Sequence, residues 1–275
     1  MSVVACLDLD RTVIYSARSL DLRMPDHEAP RLLCVEVYRS VPLSFMTEDA
    51  VAAFRALREV AEIVPTTTRT PEQLARVHLP GPPPRYAIAA NGGHLLVDGT
   101  PDPDWAAVVR DRLTGCAPLA RVQEHLDAVS GDFVLNRRTA SDLFCYAVVE
   151  RAEVPDGWVR DLTGWCAELG WTVSLQGRKV YAVPRGLTKS AAAREVAARL
   201  GAHTLLAAGD SLLDADLLDA ADRAVRPAHG ELHDTGWTRD GLVVTSATGG
   251  AAGAELLGVL RELAVQGRSP ARGRV

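Results

Sequence analysis

Two aspartates one residue apart, Asp8 and Asp10, end an apolar run, Val3-Val4-Ala5-Cys6-Leu7, and are followed by Arg11 and Thr12. Alternate side chains of a β-strand share a face, so an extended or slightly curled chain brings both carboxylates to one point. Carboxylates that close repel each other unless a proton or cation lies between them, and a hard divalent ion prefers such oxygen ligands.

Two further strand-like runs end in polar residues in the same way. Glu62-Ile63-Val64-Pro65-Thr66 leads into Thr67-Thr68-Arg69, after an amphipathic helix carrying Val51, Phe54, Leu57 and Arg58. Thr204-Leu205-Leu206-Ala207-Ala208 leads into Gly209-Asp210-Ser211, after a helix expected over 188–200. Alternating strands and helices predict a parallel α/β sheet, whose strands deliver side chains to a site at their carboxyl ends. The segment 12–47 is longer than an ordinary βα loop and contains a hairpin-like pair, 32–38 and 41–45, read as a flap over the strand ends.

The texture changes between 100 and 185. Helices are expected at 104–114, 119–128 and 156–169, and strands at 132–136, 143–150, 171–175 and 178–183. Consecutive strands joined by short turns mean an antiparallel sheet, unlike the flanking sequence. The expected organisation is a discontinuous core, 1–99 and 186–275, interrupted by an α+β insert, 100–185, with boundaries in Asp98-Gly99-Thr100-Pro101-Asp102-Pro103 and Pro184-Arg185-Gly186.

Composition narrows the functional classes. A chain of 275 residues with 47% hydrophobic and 24% charged residues is expected to be a soluble globular protein, and no apolar run reaches the ~20 residues a membrane span needs. Its opening residues read as a strand, not as a secretory leader. Five scattered cysteines without Cys-x-x-Cys spacing indicate neither a disulfide framework nor a zinc site, which makes a reducing cytoplasm the expected location. A net charge of −5 with dispersed basic residues gives no footprint for nucleic acid, and the basic stretch 266–275 reads as a frayed tail.

Four elements occur in order: Asp8-Leu9-Asp10-Arg11-Thr12, Thr67 at a strand end, Lys189 in Gly186-Leu187-Thr188-Lys189-Ser190, and Gly209-Asp210-Ser211-Leu212-Leu213-Asp214. Together they resemble the haloacid dehalogenase (HAD) superfamily of phosphohydrolases. The position of the insert, with Ala89-Ala90-Asn91-Gly92-Gly93 before it, is similar to the subgroup with a C2-type cap. Residues 63–70 are similar to a segment of sucrose-phosphate and mannosylglycerate-phosphate phosphatases, where lysine more often replaces Arg69.

The resemblance implies a HAD-like Rossmannoid core with an inserted C2-type cap, and roles for particular residues. Asp8 is then the nucleophile that forms an aspartyl-phosphate, and Asp10 the acid for the leaving alcohol and afterwards the base for water. Mg²⁺ is bound by Asp8, the Asp10 carbonyl and Asp210, with Asp214 supporting the metal through water or holding Lys189. Thr67 binds a phosphoryl oxygen, Lys189 neutralises phosphoryl charge, and Arg69 and Asn91 are candidate substrate contacts. Thr66 and Thr68 lie one residue from Thr67 and remain alternatives for its role. Two positions depart from the family pattern: Arg11 stands where glycine is commonest, suggesting a backbone without positive φ, and Leu213 stands where asparagine often precedes the last aspartate.

Simpler readings apply elsewhere. Arg137, Arg138, Arg178 and Lys179 could bind substrate, but neighbours on a strand face opposite ways, so at least half are surface. Trp158 and Trp165 read as packing residues, and His125, His203 and His229 lack ligand spacing. The function expected is a Mg²⁺-dependent phosphomonoesterase acting on a small phosphorylated metabolite, with sugar phosphates favoured. Nucleotide or ribosyl phosphates, a phosphomutase reaction, and a catalytically silent binding module are the alternatives. A dehalogenase has no need of an acid at Asp10, which disfavours that activity.

Overall fold

The structure is a computed structural model, described here for residues 2–268. In chain order the strands are β1 (Val3–Leu7), β2 (Leu32–Tyr38), β3 (Val41–Thr47), β4 (Glu62–Pro65), β5 (Tyr86–Ala89), β6 (His94–Val97), β7 (Thr100–Pro101), β8 (Val134–Ala140), β9 (Phe144–Val149), β10 (Trp171–Gln176), β11 (Lys179–Pro184), β12 (Thr204–Ala208), β13 (Arg223–Arg226) and β14 (Leu242–Val244). The helices are α1 (Glu48–Arg58), α2 (Pro71–Leu74), α3 (Pro103–Arg112), α4 (Leu119–Ala128), α5 (Trp158–Glu168), α6 (Lys189–Arg199), α7 (Ala215–Ala220), α8 (Glu231–Asp234) and α9 (Gly249–Arg268). No helix among the described residues is long and apolar enough to cross a membrane.

A parallel five-stranded sheet in the order β14-β13-β12-β1-β4 forms the core. The chain winds outward from β1 to β4 in one direction and through β12, β13 and β14 in the other. The order therefore reverses beside β1, the position at which such sheets open a crevice at their carboxyl ends. Every residue of β1 is buried, with Val4 and Cys6 in one apolar cluster and Val3, Ala5 and Leu7 in the other. Burial on both faces explains why this strand reads as an unbroken apolar run. Helices α1 and α9 supply Phe54, Leu57, Leu256 and Leu260 to one face, and α6 and α7 supply Ala192, Val196, Leu217 and Leu218 to the other. Residues 266–268, read from sequence as part of a frayed tail, close α9; residues 269–275 lie outside the described residues.

Between β7 and α6 lies an antiparallel sheet in the order β10-β11-β9-β8, with α4 contacting β9 and α5 contacting β10. The expected strands and helices are all present, with ends shifted by up to a few residues. Trp158 donates to the Val129 carbonyl at 2.8 Å, and Trp165 stacks on His125 at 3.6 Å, so both tryptophans serve packing. Arg137 is likewise structural, pairing with Asp127 of α4 at 2.5 Å. The hairpin β2–β3 forms where a flap was expected, and Tyr15 joins its inner strand through hydrogen bonds with Phe45.

Candidate active site

Asp8 follows β1 directly, and its N–H still donates to Ala208 of β12 at 2.9 Å. Thr67 follows β4 by two residues and Asp210 follows β12 by two residues, so three adjacent strands present these side chains at the same edge of the sheet. Lys189 arrives from the first position of α6, capped by the Thr188 hydroxyl. Its ammonium is fully buried and donates to Asp8 Oδ1 at 2.7 Å and to Asp214 Oδ1 at 2.5 Å. A buried lysine at a helix start opposes the helix dipole, and these two carboxylates offset that penalty. Thr12 donates from its hydroxyl to the other Asp8 oxygen at 3.1 Å.

Asp8, Asp210 and Asp214 each offer a carboxylate oxygen within 4.8 Å of the others, all three being buried. Burial and the Asp214 charge push the Asp8 carboxyl up to about 7 against the pull of Lys189. Asp210 is also raised well above the usual carboxylate range, by burial and by Asp8. Two acids that resist ionising together are a donor set suited to a hard divalent cation, which removes the repulsion. Asp214 stands differently, because Lys189 takes one oxygen while Ser211 donates to the other from its N–H at 3.0 Å and its hydroxyl at 2.7 Å. Its geometry favours the lysine-holding alternative. Leu213 beside it is buried in the apolar core.

Gly230 leaves the space that Asp210 occupies. A Cβ there would lie 2.5 Å from Asp210 Oδ2, and its φ of +89° disfavours side chains in any case. Gly230→Ala is expected to displace the Asp210 carboxylate and to destabilise the fold by about 1–3 kcal/mol. Denaturant unfolding beside a Mg²⁺ titration by calorimetry checks this: unchanged stability and unchanged affinity would refute the cradle.

Asp10 lies half-exposed at the floor of a cavity. The Arg69 guanidinium grips it with two hydrogen bonds of 2.7 Å, from Nε and Nη2. The enclosed surroundings disfavour a charge there, but Arg69, aided by Lys179 and Lys189, outweighs this and holds the Asp10 carboxyl down at about 2. Arg69 is itself held by the buried flap residue Glu36, whose Oε2 accepts from Arg69 Nη1 at 2.8 Å and from the Ser44 hydroxyl at 2.7 Å. Since its carboxylate belongs to Arg69, the atom Asp10 could offer a cation is its main-chain carbonyl.

Several sequence-based expectations change in three dimensions. Arg11 adopts φ +65°, contrary to the expectation of an ordinary backbone. The chain there wraps around the Leu9 carbonyl, which accepts from the N–H groups of Thr12, Val13 and Ile14, and the left-handed conformation of Arg11 lies within that tight loop. Two contacts offset the strain: the Arg11 guanidinium lies 3.2 Å from Asp210, and its carbonyl accepts from His229 Nε2 at 2.8 Å. The Gly249 N–H donates to His229 Nδ1, which fixes that tautomer. Asn91, expected to contact substrate, is buried with its amide engaged elsewhere. It donates to the Leu187 carbonyl at 2.9 Å, bracing the loop before Lys189. Thr67 is buried, its hydroxyl accepting from the Arg69 N–H at 3.2 Å; the Thr66 hydroxyl is turned back to Val64.

Glu231 was not singled out from sequence. It accepts from the Ser174 hydroxyl at 2.5 Å, the Leu175 N–H at 2.9 Å and the Leu212 N–H at 3.0 Å, joining β10 of the insert to the loop that carries Asp210. Its partners lie 19, 56 and 57 residues away in the chain, so no local pattern announces it. Glu36, by contrast, left a trace: a lone acid in the apolar run of β2.

No protein-family model matches the chain, and no curated protein matches it. Solved structures do. Sucrose-phosphatase from Synechocystis sp. PCC6803, solved with sucrose and phosphate, superposes with a TM-score of 0.61 at 16% identity, over 94% of this chain and 98% of its own. A sugar phosphatase of HAD subclass IIB gives 0.56 at 12% identity, covering 97% of this chain and 99% of its own. A trehalose-6-phosphate phosphatase related protein gives 0.53 at 17% identity, covering 96% and 99%. Identities this low speak to the fold, and the fold of this chain is that of the HAD-superfamily phosphatases.

Proposed function

We propose that the protein is a Mg²⁺-dependent phosphomonoesterase acting on a small sugar phosphate, with residues 100–185 serving as a cap over the core formed by 1–99 and 186–275. One observation carries this reading: the buried Asp8, bonded to Lys189 and 4.8 Å or less from Asp210, sits at the carboxyl end of β1 where the strand order reverses. The structural likeness to sugar phosphatases supports the substrate class.

A Mg²⁺ ion held by Asp8, Asp210 and the Asp10 carbonyl would lower the repulsion between an anionic nucleophile and an anionic ester. Asp8 attacks phosphorus, and Lys189 and the Thr67 hydroxyl bind the phosphoryl oxygens. Asp214 positions Lys189 and takes no part in bond making. Asp10 gives a proton to the leaving alcohol and then takes one from the attacking water. A carboxyl held at about 2 is ionised at neutral pH, so Asp10 must first be freed from Arg69. An incoming phosphoryl group that draws the Arg69 guanidinium away would let Asp10 take up a proton from solvent. The cap limits the water that reaches the aspartyl-phosphate.

Phosphate release from a panel of sugar, nucleotide and small organic phosphates, with Mg²⁺ or with EDTA, tests the reading. Release that requires Mg²⁺ and is strongest for sugar phosphates is expected; no release from any compound would refute it.

A further inference from the structure

The cavity above Asp10 and Asp210, about 540 Å³, is larger than a phosphoryl group needs. Its far wall comes from the face of the insert sheet on which Lys179 stands opposite Val148 and Tyr181 opposite Tyr146. The Lys179 ammonium lies 5.7 Å from the Tyr146 ring and 6.0 Å from the Tyr181 ring. Arg178 precedes it on the turn between β10 and β11, and Arg151 braces that turn by donating to the Gly177 carbonyl at 3.0 Å. Arg18 also lines the cavity.

Among the described residues, none of these four cations has a carboxylate within salt-bridge distance. Two carboxylates of the cavity are paired with cations, Asp10 with Arg69 and Asp210 with Arg11, while Glu231 accepts only from the neutral donors of Ser174, Leu175 and Leu212. Glu150, Glu231 and Asp234 are the three remaining acids of the cavity, none of them within salt-bridge distance of the four cations. These unpaired cations are separate from Lys189, which is bonded to Asp8 and Asp214. A neutral sugar would present hydroxyls to these cations and leave them without a salt-bridge partner.

Resting on the phosphatase reading above, we propose that the cavity takes a phosphomonoester whose leaving group carries a second anionic group, a carboxylate or another phosphate, received by Lys179 and Arg178. Charge-assisted hydrogen bonds to a carboxylate or phosphate are the stronger class, and two of them are worth about tenfold in affinity or more.

Calorimetry on Asp8→Asn protein, or on wild-type protein in EDTA should that variant not fold, compares two matched pairs. Phosphogluconate against glucose phosphate, both esterified at the terminal carbon, tests the carboxylate; fructose bisphosphate against fructose monophosphate tests the second phosphate. In at least one pair the more anionic ligand is expected to bind about tenfold tighter, and that pair identifies the anion. Lys179→Met, or Arg178→Gln if the former does not fold, is expected to bring the ratio close to one. Equal affinities in both pairs, no binding of any of the four compounds, or a preference that survives the substitution would each overturn the inference. Phosphate release from the same compounds separates the two claims. Tight, selective binding without release in Mg²⁺ refutes the phosphatase reading alone, whereas release without selectivity refutes this inference alone.

Discussion

Asp8→Asn is expected to abolish phosphate release, by on the order of 10⁴-fold or more, while the protein folds at least as stably as before. An amide is nearly the shape of a carboxylate but cannot attack phosphorus. Its oxygen can still accept from Lys189, and its NH₂ can donate to the Thr12 hydroxyl, so both contacts of the native side chain survive. The substitution also removes a charge from a buried group of three acids, in which Asp8 is pushed up to about 7 by burial and by Asp214. Denaturant unfolding and a phosphate-release assay on the same preparation check both halves. Retained turnover would remove Asp8 from the nucleophile's role, and a large loss of stability would mean that its charge holds the fold.

Lys189→Met is expected to cost stability as well as activity. Methionine fills much of the same volume but leaves Asp8 and Asp214 facing each other without the ammonium that bonds to both. Stranding a buried charge in this way costs about 3–5 kcal/mol. Adding Asp214→Asn to the same protein removes one stranded charge and is expected to restore part of that loss, a coupling that a double-mutant cycle measures. Chemical denaturation of the two single variants and the double variant is the measurement. A cost below about 1 kcal/mol, or strictly additive effects, would mean that the pair does not hold the loop ends together.

These two residues mark how far sequence alone reaches. Asp8 and Asp210 were legible because an apolar run ending in an acid is a local pattern, and a parallel sheet turns that pattern into a location. Lys189 was legible through the resemblance of Gly186-Leu187-Thr188-Lys189-Ser190 to a family motif, and its place at a capped helix start, against the helix dipole, agrees with a constraint from elsewhere in the structure. The antiparallel insert could likewise be read from short turns between strands.

The remainder depended on distances that no window of sequence contains. Arg69 lies 59 residues from Asp10, and only the packing of the flap hairpin over the strand ends shows that it grips the acid while Glu36 grips it in turn. Asn91 was a candidate substrate contact through the resemblance alone, and the structure directs its amide to the Leu187 carbonyl 96 residues on. The positive φ of Arg11 comes from how the chain winds around the Leu9 carbonyl, where a long-range ion pair offsets a strain that residue type alone would argue against. Sequence by itself determined the α/β class and the strand-end position of Asp8, because these follow from periodicity and residue type near one strand end. Tertiary structure alone decided which charges pair and which remain open to a ligand, because pairing depends on separations of a few ångströms between segments far apart in the chain.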